Sequence, residues 1–143
     1  MHGLPDLPGL TWRPWSAEDV DALVRHAGRI HAAEGLSHTP GPDMFRWLLG
    51  QREFDPATDG LVAVDDAGEI LGEAGAWAHV TPAGARCFVW ADTTPDLAGL
   101  RPHLVRWAEA RATALLAAAP PGTDRVIRTS IETHRTALAE VFL

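Results

Sequence analysis

The residue types that support covalent catalysis are scarce in this chain. Cys87 is the single cysteine, and it lies in the apolar stretch 85–91, where a buried thiol is usually core material rather than a nucleophile. Ser130 and His134 are four residues apart, but no Gly-x-Ser-x-Gly turn surrounds the serine, so an acyl hydrolase is not indicated. Lysine, asparagine and tyrosine are absent, which excludes a lysine Schiff base, a tyrosine general acid and an asparagine oxyanion donor.

Metal binding is not indicated by the histidine spacing. His26 and His31 are five residues apart, which on a helix separates them by about 140°, whereas a ligand pair at i and i+4 would share one face. A lone cysteine can form neither an internal disulfide nor a cysteine-built zinc site. We therefore expect no metal, and a reducing, cytoplasmic compartment.

The composition fits one globular domain. The chain has 143 residues, of which 46% are hydrophobic and 22% charged, and this is enough for a hydrophobic core without disulfides. The formal charge is −7, and all of the cations are arginines. Residues 1–95 are acidic, with no basic stripe anywhere, so we expect no nucleic-acid partner. No apolar run approaches the length of a membrane span, and the first residues have neither the basic nor the apolar part of a signal peptide, so we expect neither feature.

Periodicity and turn residues predict an α/β (α+β) domain with the element order β-α-α-β-β-β-α-β-α. Ser16 to Asp19 form a capping-box variant before a helix that ends at Gly35. Residues 65–68 form the turn of a β-hairpin, and a further strand at 85–91 extends it to an antiparallel meander. The predicted strands are 10–15, 61–64, 70–80, 85–91 and 125–131, and the helices are 16–35, 43–53, 100–118 and a last one from Glu132 or Thr133. One mixed, mostly antiparallel sheet flanked by helices follows.

This order and four local features resemble the GNAT (GCN5-related) N-acetyltransferase superfamily over nearly the whole chain. The features are residues 10–21, the hairpin strand that begins at 70–75, the stretch 94–111 and the strand and helix of 126–142. The resemblance is greatest to the N-terminal half of tandem, mycothiol-synthase-like GNAT proteins. Such a domain normally closes with two further strands, which the pattern does not show before Leu143. The resemblance thus predicts a fragment of a longer tandem protein, or completion by a partner chain, with dimerisation through the exposed sheet edge as one consequence.

The resemblance implies acetyl-CoA or another acyl-CoA as cosubstrate. In the family, one strand splays from its neighbour beside the cofactor, and a glycine-rich loop then brings backbone N–H groups and a helix N-terminus to the pyrophosphate. Here the loop keeps only one glycine, and Pro102 removes a donor from the first turn. Arg101 could instead offer its guanidinium to a phosphate, or it could be a solvent-facing helix residue. The implied cofactor-binding residues are Val89, Trp90, Ala91, Gly99, Leu100 and Arg101.

The resemblance also implies a base that deprotonates an amine. A tyrosine often protonates the departing thiolate in this family, and Phe142 lies near that position. The candidate catalytic residues are Glu73, Asp92 and His134. Each has a structural alternative, since Glu73 could be a solvated strand residue, Asp92 could cap a turn and His134 could make no specific contact. Trp47, on the short second helix, is expected to border a substrate cleft.

Three functional interpretations are therefore open. The first is an acyl-CoA-dependent N-acetyltransferase domain acting on a small amine. The second is a noncatalytic GNAT-like scaffold with a degraded CoA loop, which supports a catalytic second domain. The third is an unrelated interaction module, which would be favoured if the strand at 85–91 did not separate from the strand that begins at Arg125. The acidic N-terminal two thirds is consistent with a cationic acceptor.

Overall fold

The computed structural model describes residues 3–130 and 140–142, which form a mixed α+β fold with one sheet flanked by helices. The strands are β1 (Leu10–Pro14), β2 (Gly60–Asp65), β3 (Ile70–Thr81), β4 (Gly84–Thr93) and β5 (Arg125–Arg128), and the helices are α1 (Val20–Glu34), α2 (Pro42–Leu49), α3 (Pro56–Asp59) and α4 (Arg101–Ala117). Short 3-10 helices at Ala17–Asp19 and Pro95–Leu100 precede α1 and α4. The described helices include none with the length and apolar character to span a membrane.

The sheet has the strand order β1-β2-β3-β4-β5. Strands β1 to β4 form an antiparallel meander, and β5 is parallel to β4 after the crossover through α4. Pairing between β4 and β5 runs from Ala85 to Phe88 on β4, although β4 continues to Thr93. In the described part of the chain, residues 89–93 therefore leave one backbone edge of β4 without a strand partner. Pairing with β5 thus covers only the first part of β4, because β5 ends at Arg128.

The two faces of the sheet carry separate hydrophobic cores. Small side chains such as Ala76 and Cys87 allow α4 to lie close on one face, where Leu104 and Ala108 are completely buried. On the other face, α1 and α2 pack over larger residues, and the core there contains Trp15, Val20, Leu23, Phe45, Leu48, Phe54, Val62, Val64 and Ile70. The second face therefore consists of bulky side chains whose shapes do not fill all the space between helix and sheet.

The ends of α1 follow the sequence signals. The Ser16 hydroxyl accepts a hydrogen bond from Glu18 N, and Asp19 accepts one from Ser16 N, so the predicted capping box is confirmed. Asp19 also forms a bidentate ion pair with Arg13 of β1, with distances of 2.7 and 2.8 Å. At the other end, Gly35 has a φ of +64°, a left-handed conformation in which glycine has no steric penalty.

Several element boundaries differ from the sequence prediction. Helix α2 ends at Leu49 rather than near Glu53, because Gly50 ends it and a separate helix, α3, follows. Strand β4 runs to Thr93, and the predicted loop 92–99 is largely the 3-10 helix Pro95–Leu100. Strand β5 ends at Arg128 rather than at 131. The predicted last helix lies outside the described residues except for residues 140–142, which are helical.

Candidate active-site cleft

A cleft of about 320 Å³ lies between the α1–α2 face and the central strands β3 and β4. Its walls come from α1, α2 and the segment between them. Its floor comes from Glu73 and Trp77 on β3, Trp90 and Asp92 on β4, and Trp15 after β1. The lining residues are Trp15, Leu23, His26, Ala27, Ile30, Leu36, Pro40, Met44, Phe45, Trp47, Leu48, Glu73, Trp77, Trp90 and Asp92. Most of the lining is aliphatic or aromatic, and the carboxylates and the histidine are its only ionisable groups in the described chain.

Two glycines create the space for the indole rings of the floor. Gly60 and Gly75 are direct partners on β2 and β3. A Cβ atom on Gly60 would lie 2.5 Å from Trp15 Cγ, and one on Gly75 would lie 2.1 Å from Trp90 Cζ2. Both distances are shorter than any real contact, so the two indoles occupy the volume that side chains would fill. Trp15 and Trp90 lie 5.9 Å apart between ring centroids and form a continuous aromatic base.

Glu73 is held at this floor by its neighbours on β4. Its Oε2 accepts a 2.9 Å hydrogen bond from Trp90 Nε1, and its directly opposite partner is Asp92. Burial raises the pKa of Glu73 to about 8, the Trp90 hydrogen bond acts in the opposite direction, and the negative charge of Asp92 raises the pKa further. Glu73 is therefore a carboxyl group that exchanges its proton near neutral pH, as a general base requires.

Histidine 26 faces the same cleft from α1. It is 2% exposed, and burial, followed by the nearby charge of Arg29, lowers its pKa to about 4. Neither of its ring nitrogens has a hydrogen-bond partner among the described residues, and the same holds for the buried indole nitrogens of Trp15 and Trp77. Each of these nitrogens has almost no exposed surface, so a molecule in the cleft would contact the rings of these residues rather than their nitrogens.

Sequence reasoning considered His26 only as a metal ligand and did not assign it to this cleft. The available signal was its position three residues after Leu23 and four before Ile30, on the buried stripe of α1. Trp47 was expected to border a cleft, and it does, with 54% of its surface exposed at the mouth. Its ring lies 5.5 Å from that of Trp77, which in turn stacks on Phe88.

The stretch of β4 beyond its last pair with β5 lies beside Glu73, which is opposite Asp92 on the other, paired edge of β4. Val89, Trp90 and Ala91 are in the segment that continues past the last β5 pair, and Ala91 and Trp90 are opposite Ala74 and Gly75 on β3. The side chains of Val89 and Ala91 point into the α4 core, while Trp90 and Asp92 line the cleft. The segment therefore presents free backbone groups at one edge and cleft-lining side chains on one face.

The junction between β4 and α4 contains the remaining predicted cofactor residues. Gly99 is exposed and has no atom within 4 Å of its Cβ position, and Leu100 is buried. Arg101 is not solvent-facing: its side chain is 5% exposed, and its guanidinium lies 3.2 Å from Glu34 Oε1 at the end of α1. The alternative that it is a solvent-facing helix residue is wrong, and its role toward a phosphate stays a prediction.

Two further groups lie outside this arrangement. His134 falls outside the described residues, so its assignment stays a prediction. Cys87 is fully buried against α4, and burial raises the pKa of its thiol to about 11, so it is protonated at neutral pH and unreactive, as expected for core material. The described residues contain no group of three or more histidine, cysteine or acidic side chains placed to hold a metal ion.

No protein-family model and no curated protein matches this chain. Solved structures do match. A GCN5-related N-acetyltransferase from Sphaerobacter thermophilus has a TM-score of 0.74 at 20% identity, over 96% of this chain and 42% of its own length. An aminoglycoside acetyltransferase from an uncultured soil metagenomic sample has a TM-score of 0.60 at 11% identity, covering 94% of this chain and 85% of that one.

An aminoglycoside antibiotic 6′-N-acetyltransferase from Acinetobacter baumannii is also similar, with a TM-score of 0.56 at 14% identity over 92% of this chain and 87% of that one. These identities are too low to transfer a function, but the agreement in topology is consistent. The chain has the fold of the GNAT N-acetyltransferases. It spans 42% of the length of the Sphaerobacter protein.

Proposed function

We propose that this chain is a GNAT-type domain that transfers an acyl group from acetyl-CoA, or another acyl-CoA, to a small amine. The observation that supports this most directly is the position of Glu73. Its partly buried carboxyl group lies on the cleft floor, next to the stretch of β4 whose other backbone edge has no strand partner among the described residues. A proton acceptor and a free backbone edge thereby flank the same stretch of β4, in a fold that N-acetyltransferases use.

Acyl-CoA supplies the acyl group as a thioester. In the proposed reaction, Glu73 in its ionised form accepts a proton from the ammonium group of the acceptor, so that the amine nitrogen can attack the thioester carbonyl. The C–N bond forms, the C–S bond breaks with departure of the CoA thiolate, and the nitrogen releases its second proton to solvent as the amide forms. The charge of Asp92 opposite favours binding of the cationic acceptor and increases the basicity of Glu73. The Trp90 indole fixes the orientation of Glu73 through its N–H. The chain has no tyrosine, and protonated Glu73 can return its proton to the departing thiolate.

The described residues fit one end of the cosubstrate better than the other. The backbone groups of Val89 and Ala91 that point away from β3 would hold the amide groups of pantetheine as an added strand would be held, with Trp90 between them paired to Gly75. The pyrophosphate end would rest on the backbone at Gly99 and Leu100. Pro102 has no N–H to donate in the first turn of α4, and the Arg101 guanidinium is already paired with Glu34.

The poor fit at the pyrophosphate end, where Pro102 has no N–H and Arg101 is paired with Glu34, favours a noncatalytic scaffold as the alternative function. In that case the pyrophosphate site is too weak for acyl-CoA, and the chain supports a second, catalytic domain. A tandem, mycothiol-synthase-like protein stays a proposal, and the 42% of the Sphaerobacter structure that this chain spans supports only a longer parent protein. A cytoplasmic location and assembly with a second domain or a second copy are likewise proposals.

Thermal unfolding with and without millimolar acetyl-CoA separates the two functions. Binding at 100 times the dissociation constant adds about 2.7 kcal/mol of stability, which in a domain of this size raises Tm by several degrees. Desulfo-CoA tests whether the nucleotide and pantetheine suffice, and ATP controls for nonspecific nucleotide binding. A shift with CoA compounds and not with ATP, followed by CoA release in the presence of amines, supports the transferase. A folded protein with no shift contradicts it and favours the scaffold.

A further inference from the structure

The walls of the cleft are apolar, although its floor is acidic. Leu23, Ile30, Phe45 and Leu48 on α1 and α2 offer no hydrogen-bonding side chains, and Met44 and Trp47 extend this surface to the mouth. Burying hydroxyl groups or additional ammonium groups against such walls would remove their hydration without replacing it. The walls therefore select a ligand whose body is aliphatic or aromatic.

The charged side chains that line the cleft are acidic. Glu73 and Asp92 are opposite each other on the floor, and no arginine is among the lining residues in the described chain. His26 is the one lining group that could become cationic, and its depressed pKa keeps it neutral at physiological pH. A single cationic group fits this floor because the two carboxyl groups are adjacent and there is no second acidic cluster along the lining.

We infer that the acceptor is a small primary amine with a single cationic group on an apolar, aromatic or aliphatic body. The ammonium group lies between Glu73 and Asp92, and the body extends along the α1 and α2 walls toward Trp47. A volume of about 320 Å³ is at the lower end of the range for ligand cavities, which limits the body to a small ring or a short chain. This inference rests on the proposed function in identifying the ligand as the acyl acceptor.

The unpartnered nitrogens of Trp15, Trp77 and His26 add no polar contacts at the surface of the cleft, because each has almost no exposed surface. A sugar ring with several hydroxyl groups would therefore lose its hydration against the apolar walls without finding hydrogen-bond partners there.

Binding of 2-phenylethylamine, followed by tryptophan fluorescence and calorimetry, tests the inference without any acyl donor. We expect 2-phenylethylamine and hexylamine to bind at least about tenfold tighter than 2-phenylethanol, which lacks the charge. Glucosamine and spermidine, a hydroxylated amine and a polycation, should bind at least as weakly as 2-phenylethanol. Equal binding of the alcohol, tighter binding of glucosamine or spermidine, or no binding of either apolar amine would overturn the inference.

Matched variants place the ligand in this cleft. Trp47→Ala removes an exposed wall residue and should weaken 2-phenylethylamine several-fold, whereas Val80→Ala, which removes apolar surface of similar exposure on β3 outside the cleft, should not. Asp92→Asn should weaken the amine but not the alcohol. Asp66→Asn removes the same charge in the exposed β2–β3 turn and should change neither. If the Val80 and Asp66 variants weakened the amine as much, the assignment to the cleft would be wrong.

Acyl transfer provides an independent readout. Transfer to 2-phenylethylamine in preference to glucosamine and spermidine supports both proposals. Amine binding with the expected selectivity but without transfer contradicts the proposed function and leaves the ligand class supported. Transfer to glucosamine or spermidine without transfer to the apolar amines supports the function and overturns the ligand class.

Discussion

Glu73 is the residue whose removal tests the proposed chemistry most directly. Glu73→Gln keeps an oxygen that can accept the Trp90 hydrogen bond but cannot accept a proton. We expect kcat/KM to fall by about 10²-fold to 10⁴-fold, the usual contribution of a general base. In the wild type, kcat/KM should rise with pH through a pKa of about 8, because the ionised form is the active one. The variant should lose this rise.

Two controls make the result specific to Glu73. Glu109→Gln changes the same side chain on α4, on the opposite face of the sheet, and should leave both rate and pH profile unchanged. Asp92→Asn should move the rise to lower pH, because the negative charge of Asp92 raises the pKa of Glu73. A wild-type profile that is flat between pH 6 and 9 would contradict the assignment of the base.

At the scale of elements, the close approach of β3 to the indole of Trp90 depends on Gly75. Gly75→Ala places a methyl group where Trp90 now lies, at a Cβ distance of 2.1 Å, so the ring or the strand must move. We expect a loss of about 1–3 kcal/mol in the free energy of unfolding, as for other overpacked sites. The Trp90 to Glu73 hydrogen bond should also be lost, with a change in tryptophan fluorescence.

Gly28→Ala is the matched control for this substitution. Gly28 is within α1 and has no atom within 4 Å of its Cβ position, so alanine there should stabilise the helix by about 0.5–1 kcal/mol. Chemical denaturation of the two variants should give changes of opposite sign. A Gly75 variant as stable as the wild type would show that Trp90 does not require the glycine.

The ion pair between α1 and α4 gives a second prediction at this scale. Arg101 is buried and its Nε has no partner in the described chain, so its charge depends on Glu34. Glu34→Ala leaves an uncompensated buried guanidinium and should cost about 3–5 kcal/mol. Arg101→Met removes the buried charge itself and should cost less. A larger loss in the free energy of unfolding for Arg101→Met than for Glu34→Ala would contradict the conclusion that the buried charge of Arg101 depends on Glu34.

The sequence predicted the elements more accurately than their tertiary contacts. The capping box at Ser16 and the meander of β2 to β4 follow from local patterns, and both are confirmed. Glu73 was a candidate as an acidic residue on a predicted strand, with a solvated strand position as the alternative, and it lines the cleft. The ion pair of Arg101 with Glu34 could not be predicted, because it joins residues that are 67 positions apart.

At the scale of the whole molecule, the cleft is a gap in the packing between the α1–α2 layer and the sheet. The α4 face is filled by small residues, whereas the α1–α2 face leaves a space above Glu73 and beside His26. Two ionisable groups are therefore partly or wholly removed from water at one position. Each makes the stability of the molecule depend on pH, and the two dependences have opposite sign.

The signs follow from the proton each group holds in the folded and unfolded chain. The pKa of Glu73 is raised from 4.5 to about 8 in the folded state, so between these values folding retains a proton and stability falls as pH rises. The pKa of His26 is lowered from 6.5 to about 4, so between these values the unfolded chain binds the extra proton and stability rises with pH. Each slope is at most about 1.4 kcal/mol per pH unit.

The contributions of Glu73 and His26 predict how the free energy of unfolding changes with pH. Between pH 4.5 and 6.5 their slopes cancel, and between pH 6.5 and 8 only the decline from Glu73 is left. Glu73→Gln should remove that decline and reveal a rise from pH 4.5 to 6.5. His26→Leu should do the opposite and reveal a decline over the same range. Urea denaturation at half-unit pH steps measures both. Parallel curves for the wild type and both variants would contradict the burial of these groups in one cleft.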